Sequence, residues 1–162
     1  MRGRMETGGY PVVETRGLVA AYGDETVLEG VDFEAERGRI TVILGGSGCG
    51  KSTLLRHALG LQRPLAGSVR LFGRELGALS DAELRAVRAR IGVLFQGGAL
   101  FAAMTVGENV AFPILESADV PAPIVAQIVR MKLAQVGLED AITKYPHELS
   151  GGMRKRAALA RA

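Results

Sequence analysis

The stretch "GGSGCGKST", Gly45–Thr53, constrains this 162-residue chain more than any other. It fits the pattern G-x-x-x-x-G-K-[ST], with Gly45, Gly50, Lys51 and Ser52 at the fixed places. Glycines reach backbone angles closed to other residues, so successive N–H groups can curl inward around an anion. Such a loop works between a strand and a helix. Both are written into its neighbours: "ITVIL" is a short apolar run, and "STLLRHAL" has a helical make-up. A helix starting near Gly50 adds unpaired N–H groups and a positive dipole end. Lys51 can reach terminal phosphates, and the Ser52 hydroxyl can hold Mg²⁺. The bland alternative, a glycine-rich turn with a chance lysine, leaves the flanking strand and helix unexplained. The expectation is a nucleotide site built from Gly45, Gly46, Ser47, Gly48, Cys49, Gly50, Lys51, Ser52 and Thr53. Within it Cys49 is either a reactive thiol near a helix N-terminus or a small side chain at a free position, and the second is the plainer reading. His57, on the helix that follows, reads as a packing or surface residue.

Composition narrows the rest. Apolar residues make up 48% and charged residues 23%, the balance of an ordinary globular domain. The net charge of +3 is too mild to argue for a nucleic-acid partner, which wants a dense basic face. Cys49 is the only cysteine, so no internal disulfide is possible. The opening "MRGRMETGGYP" has arginines but no apolar segment, which excludes a signal peptide; Met5 is an alternative start. The uncharged run "IGVLFQGGALFAAMTVG" is shorter than the ~20 apolar residues of a spanning helix. It also holds Gln96 and several glycines, so it reads as a strand and a loop, and no transmembrane segment is expected.

Along the chain, "VVETRGLVAAY" and "VLEGVDFEAE" read as two strands of an antiparallel meander. "RITVIL" and "IGVLF" read as strands buried on both faces, and "GSVRLFG" as a short strand between glycines. Ser80 to Glu83 form a capping-box pattern ahead of "DAELRAVRAR". After Gln96, "TVGENVAF", "PAPIVAQIVRMKLAQVG" and "EDAITKY" look helical. Strands alternating with helices argue for an α/β fold with parallel strands. "HELSGGMRKRAALARA" closes the chain with a serine and two glycines opening a basic, alanine-rich helix. Ser150 there is either a simple N-cap or, with Gly151 and Gly152, a close-approach point for an anion. The Arg/Lys cluster that follows reads as a solvated face, and His147 as an ordinary loop residue.

The phosphate loop, Gln96 at the end of "IGVLF", a helical insertion and "LSGGM" at Leu149–Met153, in that order, resemble the ATP-binding cassette (ABC) family. "LFQGGALFAAMTVGENVAFP", "PAPIVAQIVRMKLAQVGL" and "ELSGGMRKRAALARA" are similar to the ATPase subunit of phospholipid-transporting, Mla-type ABC systems, the organic-solvent-tolerance group. Met153, where most cassettes carry glutamine, fits that subfamily. The similarity covers nearly the whole chain. It implies a P-loop NTPase with a RecA-like core, an N-terminal antiparallel β part and a helical subdomain. The implied division is a core over 1–96, a helical subdomain over 97–149, and the signature motif with the start of its helix over 150–162.

The resemblance also implies roles. ATP and Mg²⁺ are the cofactors. Ser150, Gly151 and Gly152 would cap the γ-phosphate of ATP held by a second copy of the chain. Gln96 would be the catalytic-site residue that reaches Mg²⁺ or the attacking water. Tyr22 would stack on adenine, although packing on its own sheet is an equally physical use of a strand-end tyrosine. Residues 97–110 would form part of a groove for a short helix of an integral-membrane permease. The place implied is the cytoplasmic face of the inner membrane, as a peripheral subunit with no direct nucleic-acid contact. Two alternatives have the same head motifs: an ABC-type ATPase of DNA repair or chromosome maintenance, and a non-catalytic nucleotide-binding module. The short insertion without sustained heptads counts against the first.

In the family, an aspartate for Mg²⁺, an adjacent glutamate and a sensor histidine follow the signature helix, and this sequence stops at Ala162 before them. Asp24–Glu25 and Glu139–Asp140 are poor substitutes, because neither follows a clean apolar strand. The expectation is therefore a C-terminally truncated cassette with negligible ATPase activity of its own. Its unpaired strand edges would favour poor solubility.

Overall fold

Alternating buried and exposed positions make the first strand, and one glycine sets its course. The computed structural model describes residues 10–23, 25–117 and 119–162. Met5 and Asp24, considered above, lie outside the described residues. Strand β1 (Val13–Tyr22) buries Thr15, Leu18 and Ala20. The three-residue step from Thr15 to Leu18 coincides with a register shift against the next strand, and Gly17 there has φ +55°. A bulge of this kind keeps both residues on the core face. The Gly17 N–H donates to Asp32 Oδ1 at 2.7 Å.

Strand β2 (Glu25–Ala35) pairs antiparallel with β1, and β3 (Ala66–Leu71) pairs antiparallel with β1 on its other side. β4 (Arg74–Glu75) adds a short edge, giving the order β2-β1-β3-β4. Helix α1 (Lys51–Ala58) lies against this sheet through Leu54, which shares a core with Leu18, Ala20, Leu28 and Val69. That leucine, with Gly50 packed against Val27 and Leu28 of β2, sets where the preceding glycine loop sits on its own sheet. Helix α2 (Asp81–Arg88) starts at Ser80 with the expected reciprocal cap: Ser80 N–H donates to Glu83 Oε2 at 3.0 Å, and Glu83 N–H to Ser80 Oγ at 3.4 Å.

These elements belong to one compact unit, Met1–Arg90, and the rest to a second, Ile91–Ala162. The second unit is helical: α3 (Val106–Ser117), α4 (Ala122–Gln135) and α5 (Gly151–Arg161), with short 3-10 turns at Glu139–Ala141 and Pro146–Glu148. In α4, Val125, Val129 and Leu133 recur every four residues and bury one face. Opposite them α5 buries Ala157 and Ala160, small enough for close helix packing, and Leu149 seals the entrance. No helix among the described residues is long and apolar enough to cross a membrane.

Three sequence expectations need correction. "RITVIL" and "IGVLF" carry no strand pairing, and Ile40, Val42 and Leu44 are 95%, 67% and 86% exposed. A continuous apolar run becomes a strand only when ladders form on its edges, and the described residues place none beside these two. The described sheet is accordingly antiparallel throughout. "EDAITKY" is not a helix beyond its 3-10 turn. The Ile142 and Lys144 carbonyls accept from Gly107 and Val106 N–H at the start of α3, both at 2.8 Å, and so are spent outside any local helix.

Candidate functional site

The glycine loop is wound as its sequence demands. Gly48 and Gly50 hold φ +80° and +88°, angles that penalise any side chain. At Gly45 the limit is space instead: a Cβ there would lie 2.5 Å from Cys49 Sγ. Gly50 caps α1 with no side-chain acceptor, and the first turn holds no acidic residue. The start of α1 therefore keeps its positive end uncompensated, as an anion site requires. Lys51 Nζ donates to the Gly45 carbonyl at 2.9 Å and the Gly46 carbonyl at 2.5 Å, and lies 3.5 Å from Cys49 Sγ. The ammonium is thus aimed across the loop, where phosphate oxygens would be stronger, charged acceptors. Ser52 is exposed one position along the helix, while Thr53 turns inward and is buried. Ser47 and Gly46 are exposed loop residues.

Tyr22 reaches the same helix. Its hydroxyl donates to Gln62 Oε1 at 3.0 Å and accepts from Arg56 Nη1 at 3.2 Å. A hydrogen bond with Thr53, then the one donated by the Arg56 guanidinium, hold the phenol below its ordinary pKa. Tyr22 is 44% exposed, and its hydroxyl is held beside the phosphate loop's helix by Arg56. His57 is buried with Nδ1 3.1 Å from the Gln62 carbonyl, which is the packing role expected of it. Cys49 is exposed.

In the helical unit, Gln96 is exposed at a turn closed by the Gly98 N–H donating to the Phe95 carbonyl at 2.9 Å. Ser150 caps α5, its Oγ accepting from Met153 N–H at 3.2 Å. A serine hydroxyl that accepts at a cap can still donate its proton, so the cap and a phosphate contact are compatible. Gly151 and Gly152 are exposed in the first turn. The basic run beyond them is not simply a solvated face. Arg154 donates to the Leu149 carbonyl at 2.7 Å, and Arg156 to the Val136 and Gly137 carbonyls at 2.7 and 3.3 Å. Both satisfy carbonyls at helix ends, which lack helical partners: Val136 and Gly137 close α4, and Leu149 closes the Pro146–Glu148 turn. His147 stacks on Tyr145, ring centroids 5.8 Å apart, in the loop before the cap. Glu139 and Asp140 lie exposed on the 3-10 turn.

Four residues carry more of this unit than their sequence positions announce. Asn109, fully buried, accepts from Phe101 N–H and donates to the Phe101, Met104 and Thr105 carbonyls, at 2.8–3.1 Å. Thr105 and Glu108 form a second reciprocal cap at α3, a T-x-x-E pattern open to inspection in the sequence. Arg161 donates to the Gly98 and Ala99 carbonyls, more than sixty residues away. An apolar groove of about 450 Å³ opens between α3 and α4, bounded by Thr105, Glu108, Ala111, Leu115, Val125 and Ile142 among others.

The loop geometry fits nucleotide phosphates: a cradle closed to side chains, an uncompensated helix start and an aimed lysine. No cluster of three or more His, Cys, Asp or Glu residues suited to a metal occurs among the described residues. A Mg²⁺ ion keeps waters and leans on substrate phosphates, and Ser52, exposed on the first turn of α1, offers it a hydroxyl.

Comparison with known proteins agrees with this geometry. The ABC transporter family profile matches residues 28–162. The chain is 44% identical over 151 residues to the intermembrane phospholipid transport system ATP-binding protein MlaF of Haemophilus influenzae, covering 93% of this chain and 57% of that one. It is 43% identical over 162 residues to the probable ribonucleotide transport ATP-binding protein mkl of Mycobacterium bovis, covering 98% of this chain and 45% of that one. The chain thus spans roughly half the length of these relatives. Among solved structures, it is similar to a dimeric, post-hydrolysis state of the ATP-binding cassette MJ0796 bound to ADP and Pi. The TM-score is 0.83 at 29% identity, covering 92% of this chain and 68% of that one. The fold class expected from the sequence, a P-loop nucleotide-binding cassette with an antiparallel β part and a helical subdomain, stands.

Proposed function

The chain belongs to the ABC transporter family, and from that premise we propose that it is the ATP-binding part of a phospholipid-transporting system. It works as a dimer, peripheral to the cytoplasmic face of an inner membrane and attached to permease subunits. By this activity it supports the lipid asymmetry of an outer membrane. The observation that carries the proposal is the Gly45–Ser52 loop at the uncapped start of α1. Lys51 and the loop amides bind the phosphates, and Ser52 and Gln96 hold Mg²⁺. Tyr22 offers its partly exposed ring to adenine, and Ser150 with Gly151 and Gly152 presents the start of α5 to nucleotide on a second copy. When bound, Mg-ATP supplies the phosphoryl bond whose cleavage powers transport. The apolar groove between α3 and α4 suits the apolar face of a short permease helix.

Sedimentation velocity with and without Mg-ATP tests the dimer. The proposal expects nucleotide to drive the chain from monomer to dimer. Lys51→Ala should abolish both binding and dimerisation, whereas Ser150→Phe should keep binding and lose the dimer. Binding with no change in mass would contradict the sandwich. The name of the mycobacterial relative keeps ribonucleotide as a second cargo. Reconstituted transport with labelled phospholipid and labelled ribonucleotide decides between them: phospholipid movement alone supports the proposal, and ribonucleotide movement alone overturns its cargo.

A further inference from the structure

We propose that Arg161 is a positioning residue for Gln96, gripping the turn that presents it. The inference rests on Gln96 acting as a Mg²⁺ ligand, and adds how that side chain is held.

Gln96 and Gly97 are the two central residues of the turn closed by the Gly98 N–H to Phe95 carbonyl bond. Gly97, Gly98 and Ala99 follow one another with φ of +86°, +83° and +46°. Ala99 pays a steric penalty at that angle, and such conformations persist only where surroundings impose them. The imposing surface is α5. Gly98 is buried, and a Cβ on it would lie 3.1 Å from Ala158 Cβ and 3.5 Å from the Arg154 carbonyl oxygen. Arg161 completes the grip: Nη1 donates to the Ala99 carbonyl at 2.6 Å and Nη2 to the Gly98 carbonyl at 3.0 Å. Its guanidinium carbon lies 5.8 Å from the Phe101 ring centroid. Asn109 fixes Phe101 from the side of α3. The free tip of the turn, Gln96, is therefore oriented by an arginine at the end of the helix that Ser150 begins. A planar fork spanning two consecutive carbonyls defines direction as well as distance, which a lysine cannot do.

Amide hydrogen exchange by NMR on Arg161→Gln and Arg161→Lys tests the grip. The Gly98 amide should exchange about tenfold faster or more in R161Q, and less so in R161K, consistent with loss of a charged fork. The Arg154 and Val125 amides, inside α5 and α4, should not change. An unchanged Gly98 amide overturns the proposal. So does a uniform rise at every amide, which would make Arg161 a stability residue only. A second readout is the factor by which Mg²⁺ strengthens ATP binding. It should fall in R161Q and in Gln96→Ala alike, with Mg²⁺-free affinity unchanged in R161Q. If Q96A keeps the full Mg²⁺ effect, the metal role of Gln96 fails, and the exchange result alone decides the grip. If Q96A loses the effect and R161Q keeps it, the positioning role is overturned.

Discussion

Gly45 and Cys49 meet so closely that one side chain dictates the other. A methyl on Gly45 would collide with Cys49 Sγ at 2.5 Å, yet would stand 3.8 Å from Cys49 Cβ. Gly45→Ala should therefore weaken nucleotide binding in the native background and be better tolerated beside Cys49→Ala. A double-mutant cycle on ATP affinity should show positive coupling, and simple additivity would contradict the contact. Asn109 invites the opposite experiment. Asn109→Leu removes the side-chain partner of the Phe101 N–H and the Met104 carbonyl, while the Phe101 and Thr105 carbonyls keep the Met104 and Asn109 backbone N–H groups, at about 1–3 kcal/mol for each group left unsatisfied. Urea unfolding should shift accordingly. The loop was legible because a fixed local pattern forces its backbone. Asn109 and Arg161 were not, because their partners are set by tertiary packing: Arg161 meets a carbonyl more than sixty residues away.

At the scale of elements, the helix starts carry the acid sensitivity. Glu83 is held below its ordinary pKa first by the Ser80 N–H, then by the Ser80 hydroxyl and Arg74. Glu108 is held down by the Thr105 N–H and hydroxyl. Each folded-state pKa is depressed, so each cap stabilises fully above the unfolded carboxylate range and loses that contribution as pH falls through the folded value. Thermal unfolding midpoints should drop on acidification through this window, and the drop should be smaller in the Glu83→Gln/Glu108→Gln double variant. At α5, Ser150→Ala should cost about 1 kcal/mol of stability, the usual loss of a serine cap. The Ser80 cap was readable from S-x-x-E spacing, and the same rule would have found Thr105–Glu108. The two apolar runs were misread for a different reason. Hydrophobic pattern specifies that a segment can be a strand, but ladder partners decide whether it is one.

For the whole molecule, the antiparallel sheet anchors α1 through Leu54, and the helical unit anchors α5 through its alanine face. Each unit therefore presents a helix start to solvent from its own core: one behind Lys51, the other at Ser150. Both starts lie in one chain, which belongs to the ABC transporter family and is similar in fold to a nucleotide-bound cassette. The measurement that bears most directly on this is calorimetric titration of Mg-ATP into the native chain and into Lys51→Ala. The native chain should bind one nucleotide per protomer. The variant should bind roughly ten- to a hundredfold more weakly, as expected from losing hydrogen bonds to a charged group worth ~1.5–3 kcal/mol. Equal affinity in the two proteins would show that the glycine loop does not hold the phosphates.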